Sequence, residues 1–524
     1  MENRPGEKAP SPPRTRIAVG VALASFLSAL DTTILATVMP TVVSELGGLP
    51  LYGWVFSVYM ILAAVTMPLW GKLADALGRR RVFFGALSTF MLGSALCGTS
   101  GAMLDLIVFR GIQGVGAGGL ASVPFAILAG LYPVKERGRV LGLLSSTWGV
   151  ASVLGPLAGS FIVLHLPWQW VFYVNLPLGV ASLLTVRAFY AEPPRARGQT
   201  LDYAGAGLLC LTVLSLLLAF KWLGRGGGGS AWMGAAALAC FGAGLAFFLK
   251  QEARAENPVL ELEFFRKRVF WLSNLIGAIA GCAVFGVIAF APLLAQVTGG
   301  GSSIGAGQAI TALSLCWSSG SVFSGRVVHR AGERRLILLG MAVMGAGFGV
   351  MLMGEETLDT GRLLPGMGAV GLGMGLLVTP LLLAVQHSLD PAHVGVATAT
   401  QMLSRSIGGA LGVSITGAVV SHLLASRIGD LLSAGGLAGA PSAPGGGAWE
   451  PQELLAAENL AGMPAAAQAL VVNAFSSAVQ GGFLVGLAVV CVGFGAALFL
   501  PPSSLRHEAR GPGGQTEDKA GSGV

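Results

Sequence analysis

Charged residues stand inside long apolar runs, where a helix in lipid tolerates few. Asp31 lies in Leu30-Asp-Thr-Thr-Ile-Leu-Ala-Thr-Val-Met-Pro40, and Arg110 in Phe109-Arg-Gly-Ile-Gln-Gly-Val-Gly-Ala-Gly-Gly119. A carboxylate at a helix centre costs roughly 2.5–3.5 kcal/mol on insertion scales, so Asp31 must face a cavity or a partner. Desolvation favours its neutral form and a nearby cation favours its charged form, which is the balance a proton carrier needs. A structural acid that only pairs with a neighbour is the alternative reading. At about 1.5 Å per residue, Asp31 sits about 21 Å from Ile17, and Arg110 about 10 Å below an outer end near Met103, so the two depths agree. A buried guanidinium without a partner is very costly, which makes Asp31 or a carbonyl of the first span its expected mate. Gln113 falls one turn further along, on the same helix face.

Two basic loops come next. Gly71-Lys-Leu-Ala-Asp-Ala-Leu-Gly-Arg-Arg-Arg-Val82 joins two apolar runs, and Gly325-Arg-Val-Val-His-Arg-Ala-Gly-Glu-Arg-Arg335 echoes it. Gly71 aligns with Gly325 and Gly78 with Gly332, an offset of 325 − 71 = 254 residues, so the chain reads as internally duplicated. Asp75 among Lys72, Arg79, Arg80 and Arg81 suggests a charge lock within the first loop. A plain basic turn on the cytoplasmic side is the alternative. In the second copy His329 stands in place of the acid. A third stretch, Gly149-Val-Ala-Ser-Val-Leu-Gly-Pro-Leu-Ala-Gly159, carries a helix-kinking Pro156 and a small-residue seam at Gly155 and Gly159. That seam suits a sliding contact and ordinary tight packing equally well.

The elements that position these residues follow from composition. Of 524 residues 53% are hydrophobic and only 11% charged, with a mean hydropathy of +0.73. Soluble domains carry about 25% charged residues, so the chain is an all-α polytopic membrane protein. Six runs of span length lie within residues 17–190, two more (Tyr203–Trp222 and Trp232–Leu249) within 191–268, and six within 269–501, fourteen in all. Polar tails occupy residues 1–16 and 502–524, and a long outer loop covers about 426–477, either a passive connector or a lid. Of the 32 Lys and Arg, four (Lys221, Arg225, Arg362, Arg427) fall on outer loops and two (Arg110, Arg405) inside spans. The other 26 fall on one side, which the positive-inside rule makes cytoplasmic, with both termini there. A net charge of +7 spread over short loops is topology, not a nucleic-acid surface. The six cysteines all fall in apolar runs and the six histidines are scattered, so the sequence holds neither a disulfide framework nor a metal or catalytic cluster, and no cofactor is implied. No Gly-x-x-x-x-Gly-Lys-Ser/Thr loop supports an ATP-driven pump.

Taken together, these stretches resemble the major facilitator superfamily, in its fourteen-span drug:proton antiporter branch. Gly71–Val82 resembles the loop motif between spans 2 and 3. Leu30–Pro40 resembles the acid-bearing motif of span 1, and Arg110–Gly119 the Arg-x-x-Gln-Gly motif of span 4. Gly149–Gly159 resembles the antiporter motif of span 5, and Trp168-Gln-Trp-Val-Phe-Tyr-Val-Asn-Leu-Pro177 the head of span 6. The resemblance implies a major facilitator fold: two six-helix bundles around a cavity, rocking between inward- and outward-open states, plus two extra helices. It ties Asp31, Arg110 and Gln113 to proton or substrate coupling. It ties Gly71, Asp75, Gly78, Arg79, Arg80, Gly325 and Gly332 to conformational control, and Gly149, Gly155, Pro156 and Gly159 to the antiporter seam. The chain departs from the branch at Ser160, where a second Gly is frequent, and in having a single deep acid. One carboxylate predicts one proton per cycle and neutral, zwitterionic or monovalent substrates. The expected protein is a monomeric exporter of hydrophobic drugs in a bacterial cytoplasmic (inner) membrane, driven by protons, with an endogenous lipid, siderophore or metabolite as the alternative cargo.

Overall fold

The computed structural model describes residues 14–47, 51–192, 202–223, 228–255, 258, 262–298, 303–353, 358–390, 393–433 and 464–502. The polar tails (to residue 13 and from 503), linker residues 193–201, the Gly-rich turn at 224–227 and outer-loop residues 434–463 lie outside the described residues. The described residues form helices joined by short turns, with no β-strand among them, as expected where lipid cannot satisfy an open strand edge.

The helices are α1 (Arg14–Leu46), α2 (Tyr52–Leu77), α3 (Arg79–Cys97), α4 (Met103–Leu131), α5 (Val134–His165), the single turn α6 (Trp170–Tyr173) and α7 (Asn175–Phe189). They continue with α8 (Tyr203–Leu223), α9 (Gly228–Glu252), α10 (Arg268–Thr298), α11 (Ser303–Ala331), α12 (Glu333–Leu352), α13 (Thr360–His387), α14 (Val394–Ser433) and α15 (Ala465–Leu498). Among the described residues, 11 helices are long and apolar enough to cross a membrane. α3 and α11 are long enough, but α3 opens on three arginines and α11 carries a row of serines. The apolar stretch of α8 is short.

The sixth span, expected as one run from Val171, extends over Trp170–Phe189, with Val174, a turn residue of helical backbone angles, between α6 and α7. Two boundaries differ from the sequence reading. α14 continues to Ser433, and α15 begins at Ala465 rather than Ala478. The outer loop expected over 426–477 is therefore shortened at both ends, because its Ala- and Leu-rich flanks continue the helices.

The chain forms two compact units. Unit 1 comprises residues 1–216, 238–262 and 389–403, and unit 2 comprises 217–237, 263–388 and 404–524. α8, α9 and α14 thus each contribute residues to both. Within unit 1, α4 is the central helix: an added Cβ at Gly114 would stand 2.6 Å from the Tyr59 carbonyl of α2, and one at Gly116 would collide with Phe90 of α3. In unit 2, α13 is flanked the same way, by α12 at Gly373 and by α11 at Gly371 and Gly375. Such seams let backbones approach where lipid offers no hydrophobic drive to associate. The closest crossing joins α14 to α10, with Gly408 on Ala278 and Gly412 on Cys282. Gly412→Val places a branched side chain into the Cys282 carbonyl. The expected result is loss of the monodisperse peak in size-exclusion chromatography, whereas Gly207→Ala, which meets nothing within 4 Å, leaves it unchanged.

The 254-residue repeat is visible in detail. α1 and α10 begin at 14 and 268, and α3 and α12 at 79 and 333. Gly78 (φ +111°) and Gly332 (φ +85°) precede α3 and α12 in the left-handed half of backbone space that glycine alone adopts freely. The Arg80 guanidinium donates to the Arg187 carbonyl near the end of α7 (2.8 Å), and Arg334 donates to the Leu498 carbonyl ending α15 (2.7 Å). In each unit the same arginine satisfies an orphan C-terminal carbonyl.

Candidate functional site

α1 and α4 bring Asp31, Arg110 and Gln113 together, all with no exposed surface. Arg110 Nη1 donates to Asp31 Oδ2 at 2.5 Å and to Gln113 Oε1 at 2.7 Å. Gln113 Nε2 returns a hydrogen bond to Asp31 Oδ1 at 2.8 Å, closing a three-residue ring. The i, i+3 spacing on α4 is what aims both side chains at one carboxylate. Asn175, the first residue of α7, donates from Nδ2 to the same Asp31 Oδ1 at 2.9 Å and to Ser94 Oγ at 2.9 Å, and Ser94 donates to the Phe172 carbonyl. The guanidinium carbon of Arg110 lies 4.1 Å from the centre of the Tyr59 ring, whose hydroxyl meets Ser28 at 3.2 Å. Asp31 is therefore surrounded by donors. Arg110 is held less completely: its Nε and Nη2 make no hydrogen bond among the described residues.

The glycines after Arg110 serve the packing that holds this ring in place. Gly111, Gly114 and Gly118 face α2, and Gly116 faces α3. α5 lies against α1 directly beyond the acid: Thr33 Oγ1 donates to the Ala151 carbonyl at 3.0 Å, a Cβ on Gly155 would collide with Thr33, and one on Gly159 would crowd Thr37. Gly149 is buried, and α5 runs through the exposed Pro156 as one element. The antiporter-like seam thus touches the acid-bearing segment of α1 within two residues of Asp31.

Asp75 has a partner the sequence reading did not assign. Its carboxylate accepts from the backbone N–H groups of Gly395 (3.0 Å) and Val396 (2.9 Å), in the first turn of α14. A carboxylate there satisfies orphan donors and meets the positive end of the helix dipole. Gly71 makes this approach possible, since a Cβ on it would stand 2.6 Å from Ala399 Cβ. The Arg79 backbone N–H donates to the Glu192 carboxylate, which also fills the space beside Gly78. Gly325 is buried in α11, while His329, in the position of the acid, is exposed.

Asn175, Ser94 and Tyr59 were missed from sequence. Asn175 lies within the run at the head of span 6, but nothing local ties it to Asp31. Ser94 and Tyr59 carry no signal of their own. Asn175→Leu removes a hydrogen bond to a charged group, worth about 1.5–3 kcal/mol. The expected result is a lower midpoint of thermal unfolding in detergent, with the secondary structure retained by circular dichroism. Unit 2 has no copy of the ring: at the same offset Asp31, Arg110 and Gln113 fall on Phe285, Leu364 and Met367. The duplication repeated the scaffold and left this chemistry in one half.

Comparisons with known proteins agree with this architecture. The sequence profile described as Major Facilitator Superfamily matches residues 21–413. The chain is 37% identical to the multidrug transporter protein MdtP of Bacillus subtilis over 428 residues, covering 80% of this chain and 77% of that protein. It is 32% identical to multidrug resistance protein 3 of the same organism over 499 residues, 94% and 96% of the two chains. Among solved structures it resembles the human organic anion transporter MFSD10 (TM-score 0.60, 18% identity, covering 91% of this chain and 100% of that one). It also resembles the proton:xylose symporter XylE (TM-score 0.59, 14% identity, covering 95% and 98%). At those identities the structures speak for the fold alone.

Proposed function

We propose that this chain, which belongs to the Major Facilitator Superfamily and is a transporter and not an enzyme, exports hydrophobic small molecules in exchange for protons. The buried Asp31–Arg110–Gln113 ring carries this reading. A carboxylate inside a span, held by a cation and two amides, has two stable conditions: ionised and bound to Arg110, or protonated and released from it. Protonation withdraws the charge that Arg110 pairs with, and Arg110 then keeps Gln113 Oε1 and the Tyr59 ring. The two conditions differ in how α1, α4 and α7 are tied together, which is the differential interaction a two-state transporter requires. α5 carries that difference outward through the Gly155–Gly159 seam on α1. The Asp75 tie to α14 acts as the conformational lock, because α14 starts in unit 1 and continues in unit 2.

The arrangement favoured is alternating access in a monomer of fourteen spans, six and six around two extra helices, with both termini cytoplasmic in a bacterial inner membrane. The Lys and Arg distribution supports that topology, and the two multidrug relatives support drugs as cargo. The test is purified protein in proteoliposomes with a pH-sensitive dye inside and an imposed pH gradient. Addition of hydrophobic drugs should evoke proton movement above that of protein-free vesicles. Drug flux that ignores the gradient, and equals that after collapse by a protonophore, would overturn the coupling.

A further inference from the structure

Arg405 is the second arginine inside a span, and no pairing accounts for it. It lies on α14 about 16 Å from the start of that helix, near the middle of a hydrocarbon layer about 30 Å thick. Its side chain, about 7 Å long from standard bond lengths, is too short to bring the guanidinium to either interface. Half-buried against α10, its Cγ lies 3.1 Å from where a Cβ on Gly281 would stand. Its neighbours there are uncharged: Gly409 against the Phe285 ring, Gly408 against Ala278, and Ser404 donating to Asn274 at 3.2 Å. Among the described residues Arg405 makes no ion pair and no side-chain hydrogen bond. The acids described in unit 2, Glu263, Glu333, Asp359 and Asp430, all lie at helix ends, and the sequence has none between Glu263 and Glu333. Nor is Arg405 inherited from the repeat, since Ala151 stands 254 residues before it.

We infer that Arg405 is the binding group for an anionic headgroup, a sulfonate, carboxylate or phosphate, carried by an otherwise hydrophobic transported molecule. A guanidinium at this depth needs a counter-charge, and the described residues of unit 2 supply none. A planar fork of donors fits such oxyanions in two-point fashion, and the apolar walls of α10 and α14 take the rest of the molecule. Unit 1 thus holds the group that exchanges protons, and unit 2 the group that selects charge. The assignment names the cargo class of the export proposed above and rests on it, but equilibrium binding reads it without any proton gradient.

The experiment compares anilinonaphthalene sulfonate with phenylnaphthylamine, the same aromatic frame without the anion. Binding is measured by isothermal titration to the full chain in phosphatidylcholine nanodiscs, with empty discs subtracted. Arg405→Gln should weaken sulfonate binding about ten-fold or more and leave the neutral amine within about two-fold. Arg405→Lys, which keeps the charge, should retain most of the sulfonate preference. Retained amine binding shows that the variant is folded. Equal loss of both probes, or sulfonate affinity undiminished in Arg405→Gln, overturns the assignment. So does a wild-type preference for the sulfonate over the amine that is lost when phosphatidylglycerol replaces phosphatidylcholine, which would make a net-anionic lipid headgroup the occupant. Failure of proton coupling with this binding intact would instead overturn only the antiport reading.

Discussion

Asp31→Asn should abolish substrate-evoked proton movement in proteoliposomes. It should also lower the stability of the protein, and the two losses have different causes. The first follows because a carboxamide has no ionisable proton to take up or release. The second follows from hydrogen-bond direction. Asp31 Oδ1 accepts from Gln113 and Asn175 while Oδ2 accepts from Arg110. Whichever way an asparagine is turned, its NH₂ group points at a donor, and Arg110 loses its counter-charge. Removing one partner of a buried ion pair costs about 3–5 kcal/mol. The double variant Asp31→Asn/Arg110→Gln removes that unpaired charge, so thermal stability should recover substantially while proton movement stays absent. Stability is read by fluorescence-detected melting and coupling by the vesicle dye. Undiminished coupling in Asp31→Asn would sink the assignment. Asp105, which accepts from the Ala102 N–H at the start of α4, and His165, stacked on Phe161, would then be examined next, although both lie outside the buried ring.

Asp75→Ala should cost at least ten-fold in transport rate with little loss of purified yield. The carboxylate holds two backbone N–H groups of α14, and a hydrogen bond to a charged group contributes about 1.5–3 kcal/mol. Without it those amides have only solvent or fluctuating partners, so hydrogen exchange at Gly395 and Val396 should accelerate by about ten-fold or more. Asp75→Asn keeps one acceptor and turns a donor toward the second N–H, so its effect should be intermediate. Gly71→Val, which alters no charge, should reproduce the exchange phenotype by pushing Ala399 away. Unchanged exchange at both amides with transport lost would mean that Asp75 acts elsewhere. Unchanged transport with exchange accelerated would mean that the tie is only structural.

Much of the site could be read along the chain, for a reason particular to membranes. A charge in an apolar run has few permitted explanations, so Asp31 and Arg110 announce themselves. The i, i+3 geometry of a helix then places Gln113 beside Arg110 without knowledge of the fold. The repeat was legible because Gly78 and Gly332 occupy a backbone conformation that other residues rarely adopt, so the same residue type recurs at the same turn.

What the chain by itself determined was helices, their order and the depth of their charges, because apolar length and helical periodicity are local properties. What only the tertiary structure decided was partnership. Asp75 reads as a member of a charged loop, yet its carboxylate bonds to amides 320 and 321 residues away. Asn175 reaches Asp31 across 144 residues, and Tyr59 lies under Arg110 from α2. Arg405, which the sequence marks no differently from Arg110, is told apart only by what packs around it. Arg110 meets a carboxylate brought by α1, whereas Arg405 lies against Gly281 of α10. Such pairings depend on which helices touch and at what height, and helix crossing is set by glycine seams whose partners lie far apart in the chain.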